Sequence, residues 1–265
     1  MLGVQTNGGS LQNSTIAAIN TLAALGIFAT QGNFWFVNPN VAYGNDTTGD
    51  GSIGKPFATL RAALAAATAG QNDVVFFCAS SNTASQTTNY LSANLDWNKN
   101  LVHIVGLNAG SMIGQRSRVS NLSTATTFAN LFTVSASGCL IANMEFFQGA
   151  GPTNPSAASS CVTVSGQRNR FVNCQISGVG STDLDDTGSN DLTVSGSENL
   201  FQHCYIGLDT VIRASALAGV VMSSTNTRNA FEDCMFAAYT SSTSYKFMTV
   251  ATGTDRFILL ERCKF

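Results

Sequence analysis

The stretch Cys161-Val-Thr-Val-Ser-Gly-Gln-Arg-Asn-Arg-Phe-Val-Asn-Cys-Gln-Ile176 is matched by Asp191-Leu-Thr-Val-Ser-Gly-Ser-Glu-Asn-Leu-Phe-Gln-His-Cys-Tyr-Ile206. The T-V-S-G, N-x-F and C-x-I positions coincide at a constant offset, which carries Phe171 to Phe201 to Phe231, Cys174 to Cys204 to Cys234 and Asn169 to Asn199 to Asn229. The same step runs backwards to Ile141, Met144 and Phe146, and a slightly shorter one reaches Leu260, Cys263 and Phe265. Val102 and Ile104, Phe132 and Val134, Val162 and Val164, and Leu192 and Val194 are read as the first strand of successive units. Asp73-Val-Val-Phe-Phe-Cys78 reads as a looser, earlier copy. Within each unit apolar residues alternate and Ser, Gly and Asn punctuate the runs, which is the period of strands and turns.

A fixed repeat of short strands is the signature of a solenoid, in which each unit buries its apolar face on its neighbours. A coil of two or three strands plus turns fits the unit length better than a propeller blade of about 40 residues and four strands. Stacking coils about 4.8 Å apart turns repeated positions into ladders. Met144, Cys174, Cys204, Cys234 and Cys263 are therefore expected as an interior column beside Ile141, Phe171, Phe201, Phe231 and Leu260. Asn169, Asn199 and Asn229 are expected to adopt a left-handed conformation and to hydrogen-bond their counterparts in the next coil. Arg168, Glu198 and Arg228 should form an alternating surface ladder.

Composition narrows the function classes. The 265 residues carry 13 basic and 15 acidic side chains and two histidines, with no basic block, so nothing marks a nucleic-acid partner. The longest apolar stretch, Ile16 to Thr30, is broken by Asn20, Thr21 and Gly26 and is too short to span a membrane. No positive leader precedes it, and the expectation is synthesis in a cytoplasm. Seven cysteines without a CxxC pair suggest packed thiols rather than a disulfide scaffold or a zinc site.

These ladders and the coil length resemble the right-handed parallel β-helix of pectin-lyase-like proteins. Phe34-Trp-Phe-Val-Asn-Pro39, the glycine-rich turn through Asp46, and Gly54-Lys-Pro-Phe-Ala-Thr-Leu-Arg-Ala-Ala-Leu64 are similar to the entry of such helices in tailed-phage virion proteins. The resemblance spans about residues 33 to 265. It implies an all-β, single-stranded solenoid and a virion structural protein displayed on the capsid or tail as decoration, fibre or spike. It also implies a homotrimer that contacts other virion proteins through its N-terminal arm, with a host surface glycan as a further partner.

The chain is accordingly divided into a docking arm at 1–32, an entry strand, turn and cap helix at 33–72, and the β-helix at 73–265. The arm holds no charge, which suits docking on another subunit or packing on the solenoid as a leader. The cap helix is read over 57–69, with Pro56 at its first turn. Long turns at 150–160, 179–190 and 239–245 are where binding surfaces arise. The sequence stops inside a repeat, so a partner chain, a symmetric copy or further polypeptide is expected to cover that coil.

Chemical motifs are sparse. Gly49 to Lys55 follows phosphate-loop spacing until Pro56 replaces the required hydroxyl residue. Asp46 and Asp50 are the calcium candidates, although the full loop pattern is missing. The competing enzymatic reading is a tailspike-type polysaccharide depolymerase using paired carboxylates. Its candidates are Glu232 or Asp233 with Glu261, and Asp183, Asp185 and Asp186 in the long turn. His103 and His203 have no nucleophile partner at a suggestive spacing. No cofactor is called for.

Overall fold

The computed structural model describes residues 32–79, 90–91, 93–114, 117–121, 130–149, 159–215, 217–223, 226–254 and 256–265. The proposed docking arm lies outside them, apart from its last residue. The described strands form three all-parallel sheets of eight, six and six strands, and from Val74–Cys78 onward successive strands of the chain visit the sheets in rotation. Each circuit returns the chain beside its starting strand, one hydrogen-bonding step along the axis. This is a parallel β-helix with three strands per coil.

The first sheet runs from Phe34–Val37 through Val74–Cys78, His103–Leu107, Leu140–Ala142, Arg170–Val172, Leu200–Gln202 and Asn229–Glu232 to Ile258–Glu261. The second contains Tyr90–Leu91, Arg118–Asn121, Glu145–Phe147, Gln175–Ser177, Tyr205–Arg213 and Met235–Thr240. The third contains Leu95–Trp97, Asn130–Val134, Ser160–Val164, Asn190–Val194, Ala218–Met222 and Lys246–Val250.

The ladders form where the repeat is regular. Phe171 stacks on Phe201, and Phe201 on Phe231, with centroids 4.8 Å apart in both cases. The rings therefore sit at about the strand spacing, face over face. Met144, Cys174, Cys204 and Cys234 line the core beside them, and Cys263 is half-buried at the last coil. All seven cysteines are free thiols. Each of the last four donates a weak hydrogen bond to the carbonyl of the aromatic or aliphatic residue one coil back, from Cys174 to Ile141 at 3.4 Å through Cys263 to Phe231 at 3.3 Å.

Two readings of the repeat are corrected by the register. Phe132 and Val134 pair with Leu95 and Trp97, not with Val102 and Ile104. Ile104 belongs to the first sheet, where it pairs with Val75 behind and Ile141 ahead. Val74–Cys78 is thus a copy of the N-x-F strand. The early coils carry extra chain in their turns, so a constant offset extended backwards selects the wrong strand. The left-handed residues are also displaced by one. Arg168, Glu198 and Arg228 have φ of 56°, 61° and 54°, while the asparagines that follow them do not have positive φ.

Those asparagines do something more demanding. Asn169 accepts the backbone N–H of Cys139 at 2.8 Å, Asn199 that of Asn169 at 2.9 Å, and Asn229 that of Asn199 at 2.9 Å. Their amides donate back to the carbonyls of Ala136, Gly166 and Gly196 at 2.9–3.1 Å. The buried corner would otherwise leave these backbone groups without partners. The same corner explains the conserved spelling of the motif within the chain. A Cβ at Gly166 would lie 1.7 Å from the Ala136 carbonyl oxygen, and one at Gly196 would lie 1.8 Å from that of Gly166.

The entry segment closes the first coil. Helix α1 spans Leu60–Ala66, shorter than the sequence suggests, and starts at an N-cap Thr59 whose Oγ1 accepts the Ala62 N–H at 3.2 Å. Pro56 stands before that cap, not in the helix, because the hydroxyl of Thr59 supplies the stop signal. Leu60, Ala63 and Leu64 are buried in the same core as Val37 and Val75, so the helix seals the end of the apolar column.

Candidate functional site

Glu232 and Glu261 are direct neighbours, paired across the last two strands of the first sheet. Asp233 is the next residue, left-handed at φ 51°, as are His203 and Arg262 in the adjoining coils. The structure thus brings the three predicted carboxylates to one corner, where Glu232 and Asp233 are held from neighbouring coils and Glu261 by the adjacent Arg262. Arg262 grips Asp233 with Nε at 2.7 Å and a second nitrogen at 2.9 Å, and it also meets Glu261. His203 Nε2 lies 3.7 Å from Asp233, and Gln202 donates to Glu232 at 3.1 Å. The Arg262 hydrogen bond, helped by the charges of Arg262 and His203, holds the Asp233 carboxyl below its ordinary range against some desolvation. A general acid needs the opposite displacement and a water-poor setting. Here the side chains are open to solvent, Arg262 by 57%.

The remaining acidic candidates are employed locally. Asp46 accepts the N–H groups of Ala58 and Thr59 at 2.7 and 3.0 Å and the Thr59 hydroxyl at 2.7 Å, tying the entry turn to the start of α1. Asp50 accepts the Ser52 N–H at 3.0 Å in its own turn. Asp185 holds the N–H groups of Ala214 and Ser215 at 2.6 and 3.2 Å, and Asp186 that of Gly188 at 3.1 Å. The side chain of Asp183 lies outside the described residues. No cluster of three or more His, Cys, Asp or Glu positioned for a metal occurs among the described residues.

Two arrangements escaped the sequence reading. The first lies on the outer face of the second sheet, where Arg118, Glu145, Gln175 and Tyr205 follow one another in register along the coils. Arg118 Nε is 3.1 Å from Glu145 and its guanidinium lies 4.2 Å above the Phe147 ring. Gln175 accepts the Gly114 N–H at 2.6 Å and donates to Ser177 at 3.0 Å. Burial, reinforced by Asp209, raises the Tyr205 phenol above its usual range. The signal was present as the variable residue between Met144 and Phe146, Cys174 and Ile176, and Cys204 and Ile206, which is polar in three successive coils.

The second is an ion pair with no exposure on either side. Arg213 holds Asp191 through two nitrogens at 2.8 and 2.9 Å. Asp191 also accepts the Gly178 N–H at 2.7 Å, and Arg213 reaches the Gly178 carbonyl at 3.3 Å and the Tyr245 hydroxyl at 3.4 Å. Gly219 leaves the space these groups need, since a Cβ there would lie 2.7 Å from the Tyr245 hydroxyl oxygen. In the aligned stretches Asp191 stands where the other copy has Cys161, and that exchange was its only trace in the sequence. The pair underpins a groove of about 540 Å³ on the outer face of the third sheet. Leu217 and Ala218 lie buried in its floor and Val221 contributes apolar surface, while Thr187, Ser244 and Lys246 contribute hydroxyls and one ammonium.

No protein-family model matches the sequence, and no curated protein matches it. Among solved structures a rhamnogalacturonan lyase superposes with a TM-score of 0.53 at 17% identity, over 88% of this chain and 56% of that one. The fold is a pectin-lyase-like, right-handed parallel β-helix. This chain therefore spans little more than half the length of that lyase. A pectin methylesterase from Erwinia chrysanthemi matches with a TM-score of 0.49 at 15% identity, covering 86% of this chain and 78% of that one. The ORF18 protein of Geobacillus virus E2 matches at 0.24 and 12% identity, over 92% and 65%.

Proposed function

We propose that this protein is a structural component of a tailed-phage virion, displayed on the capsid or tail surface as decoration, fibre or spike. One observation carries the reading. Glu232 and Asp233 are bound into a partly exposed ladder of charges and amides that fastens one coil to the next, and Glu261 is paired with the adjacent Arg262. The entry motif that resembles phage β-helices supports it, with a strand, a glycine-rich turn and a short helix sealing the first coil. A homotrimer joined to other virion proteins through residues 1–32 completes the proposal, with no resident cofactor or metal.

The test is to separate virions of the encoding phage into heads and tails and to count copies of this chain in each by mass spectrometry. Many copies on heads mark a decoration protein, and a few on tails mark a fibre or spike. Absence from both overturns the proposal. The second reading, a depolymerase acting on host surface glycans, is favoured by the pair of half-buried Arg118 and buried Glu145 on the second sheet. It requires purified protein to release oligosaccharides from capsule or lipopolysaccharide, and it fails if none is released.

A further inference from the structure

The groove on the third sheet is already assembled before any ligand arrives. Its upper wall, Thr187 to Asn190, is held by Asp186 through the N–H groups of Gly188 and Ser189, and by the Asn190 N–H donating to the Ser159 carbonyl at 2.8 Å. Its opposite wall at Leu217 is fixed by the Lys246 N–H, which donates to the Leu217 carbonyl at 3.1 Å, and by Asp185 holding Ser215. Beside it lie the buried Asp191 and Arg213 and the half-buried Tyr245, joined by hydrogen bonds. A preformed site spares the ligand most of the ordering cost of binding, and about 540 Å³ falls within the usual range of ligand sites.

The lining selects the ligand by what it contains and what it lacks. The half-buried Val221 offers apolar surface suited to the C–H face of a sugar or polyol, backed by the buried Leu217 and Ala218, and Thr187, Ser244 and Thr249 offer hydroxyls. Among the described residues no carboxylate lines the groove, and Lys246 is its single charge. The ammonium has no hydrogen-bond or ion-pair partner among the described residues. An arginine fork matches a planar carboxylate in bidentate fashion, whereas a lone lysine serves a phosphate as a point charge. We propose that this groove binds a phosphodiester-linked sugar or polyol chain, one phosphate at Lys246 and one flanking unit over Val221. The inference concerns the isolated chain and stands apart from its place in a virion.

The experiment is calorimetric and NMR titration of the purified full chain at low salt with glycerophosphoglycerol, beside glycerol, inorganic phosphate and glucuronic acid. Glycerophosphoglycerol should bind in the millimolar range and at least about fivefold more tightly than glycerol or glucuronic acid, with affinity falling as salt rises. Lys246→Gln should weaken it about fivefold while leaving the melting curve unchanged, and Val221→Trp should fill the groove and abolish binding. Equal binding of glucuronic acid overturns the phosphate assignment. So does tight binding of inorganic phosphate alone, which would make the polyol irrelevant. No binding at about 10 mM, or binding that both variants retain, overturns the site itself.

Discussion

At the scale of single residues, stability depends on side chains that serve two coils at once. Asn199 accepts the N–H of Asn169 and donates to the carbonyl of Gly166, both in the preceding coil. Asn199→Ala leaves both groups buried without those partners, and denaturant unfolding should show a loss of about 2–4 kcal/mol. A loss under 1 kcal/mol would mean that water replaces the ladder. The thiols are inert for a related reason: burial raises Cys139 to about 11, and it pushes Cys161 and Cys204 well above the ordinary thiol value. Ellman titration should find all seven thiols after denaturation, but in native protein only slow reaction, led by the half-buried Cys78 and Cys263. Fewer than seven in denaturant would contradict packed free thiols.

At the scale of elements, the long second-sheet strand Tyr205–Arg213 ends on the buried Asp191 and Arg213 pair, which binds it to the turn after Gly178. Arg213→Met strands a carboxylate out of water and should destabilise by about 3–5 kcal/mol, while Asp191→Leu combined with Arg213→Met should recover much of that loss. If the double variant is worse than the single, the pair contributes more than its own neutralisation. His103, at the start of its first-sheet strand, accepts the Leu140 N–H at Nδ1 (3.0 Å) and faces Asn72 Oδ1 at 3.3 Å, so the neutral ring is required. Burial lowers its pKa below 6.5, partly opposed by the charge of Asp73. A depressed folded value means that the contribution is complete above pH 6.5 and is lost as pH falls from there through the folded pKa. Melting temperature should therefore drop between pH 7 and pH 5, and His103→Gln should flatten that slope. An identical slope in the variant would assign the titration elsewhere.

At the scale of the whole molecule, each coil contacts only its neighbours, so stability should vary along the axis instead of being shared. Phe171, Phe201 and Phe231 are fully buried, whereas Leu260 on the next rung of that column is 44% exposed. Hydrogen exchange should be slowest in strands from Leu140 to Ile206 and fastest in Ile258–Glu261; uniform protection would indicate a single cooperative unit. The repeat from about residue 130 onward was legible in the sequence because stacking converts a constant chain offset into contact. The aromatic column, the thiol column, the asparagine ladder and the Arg168, Glu198, Arg228 ladder all follow from that rule. The register of the earlier coils did not, because turns of unequal length change the offset while the strands stay paired. Nor did the polar row on the second sheet, the buried Asp191 and Arg213 pair, or the groove above it. These depend on lateral contacts between strands and long turns, and such contacts have no fixed spacing along the chain. Contacts along the axis follow from residue spacing in the chain, whereas contacts across it arise only where folded turns bring distant segments together.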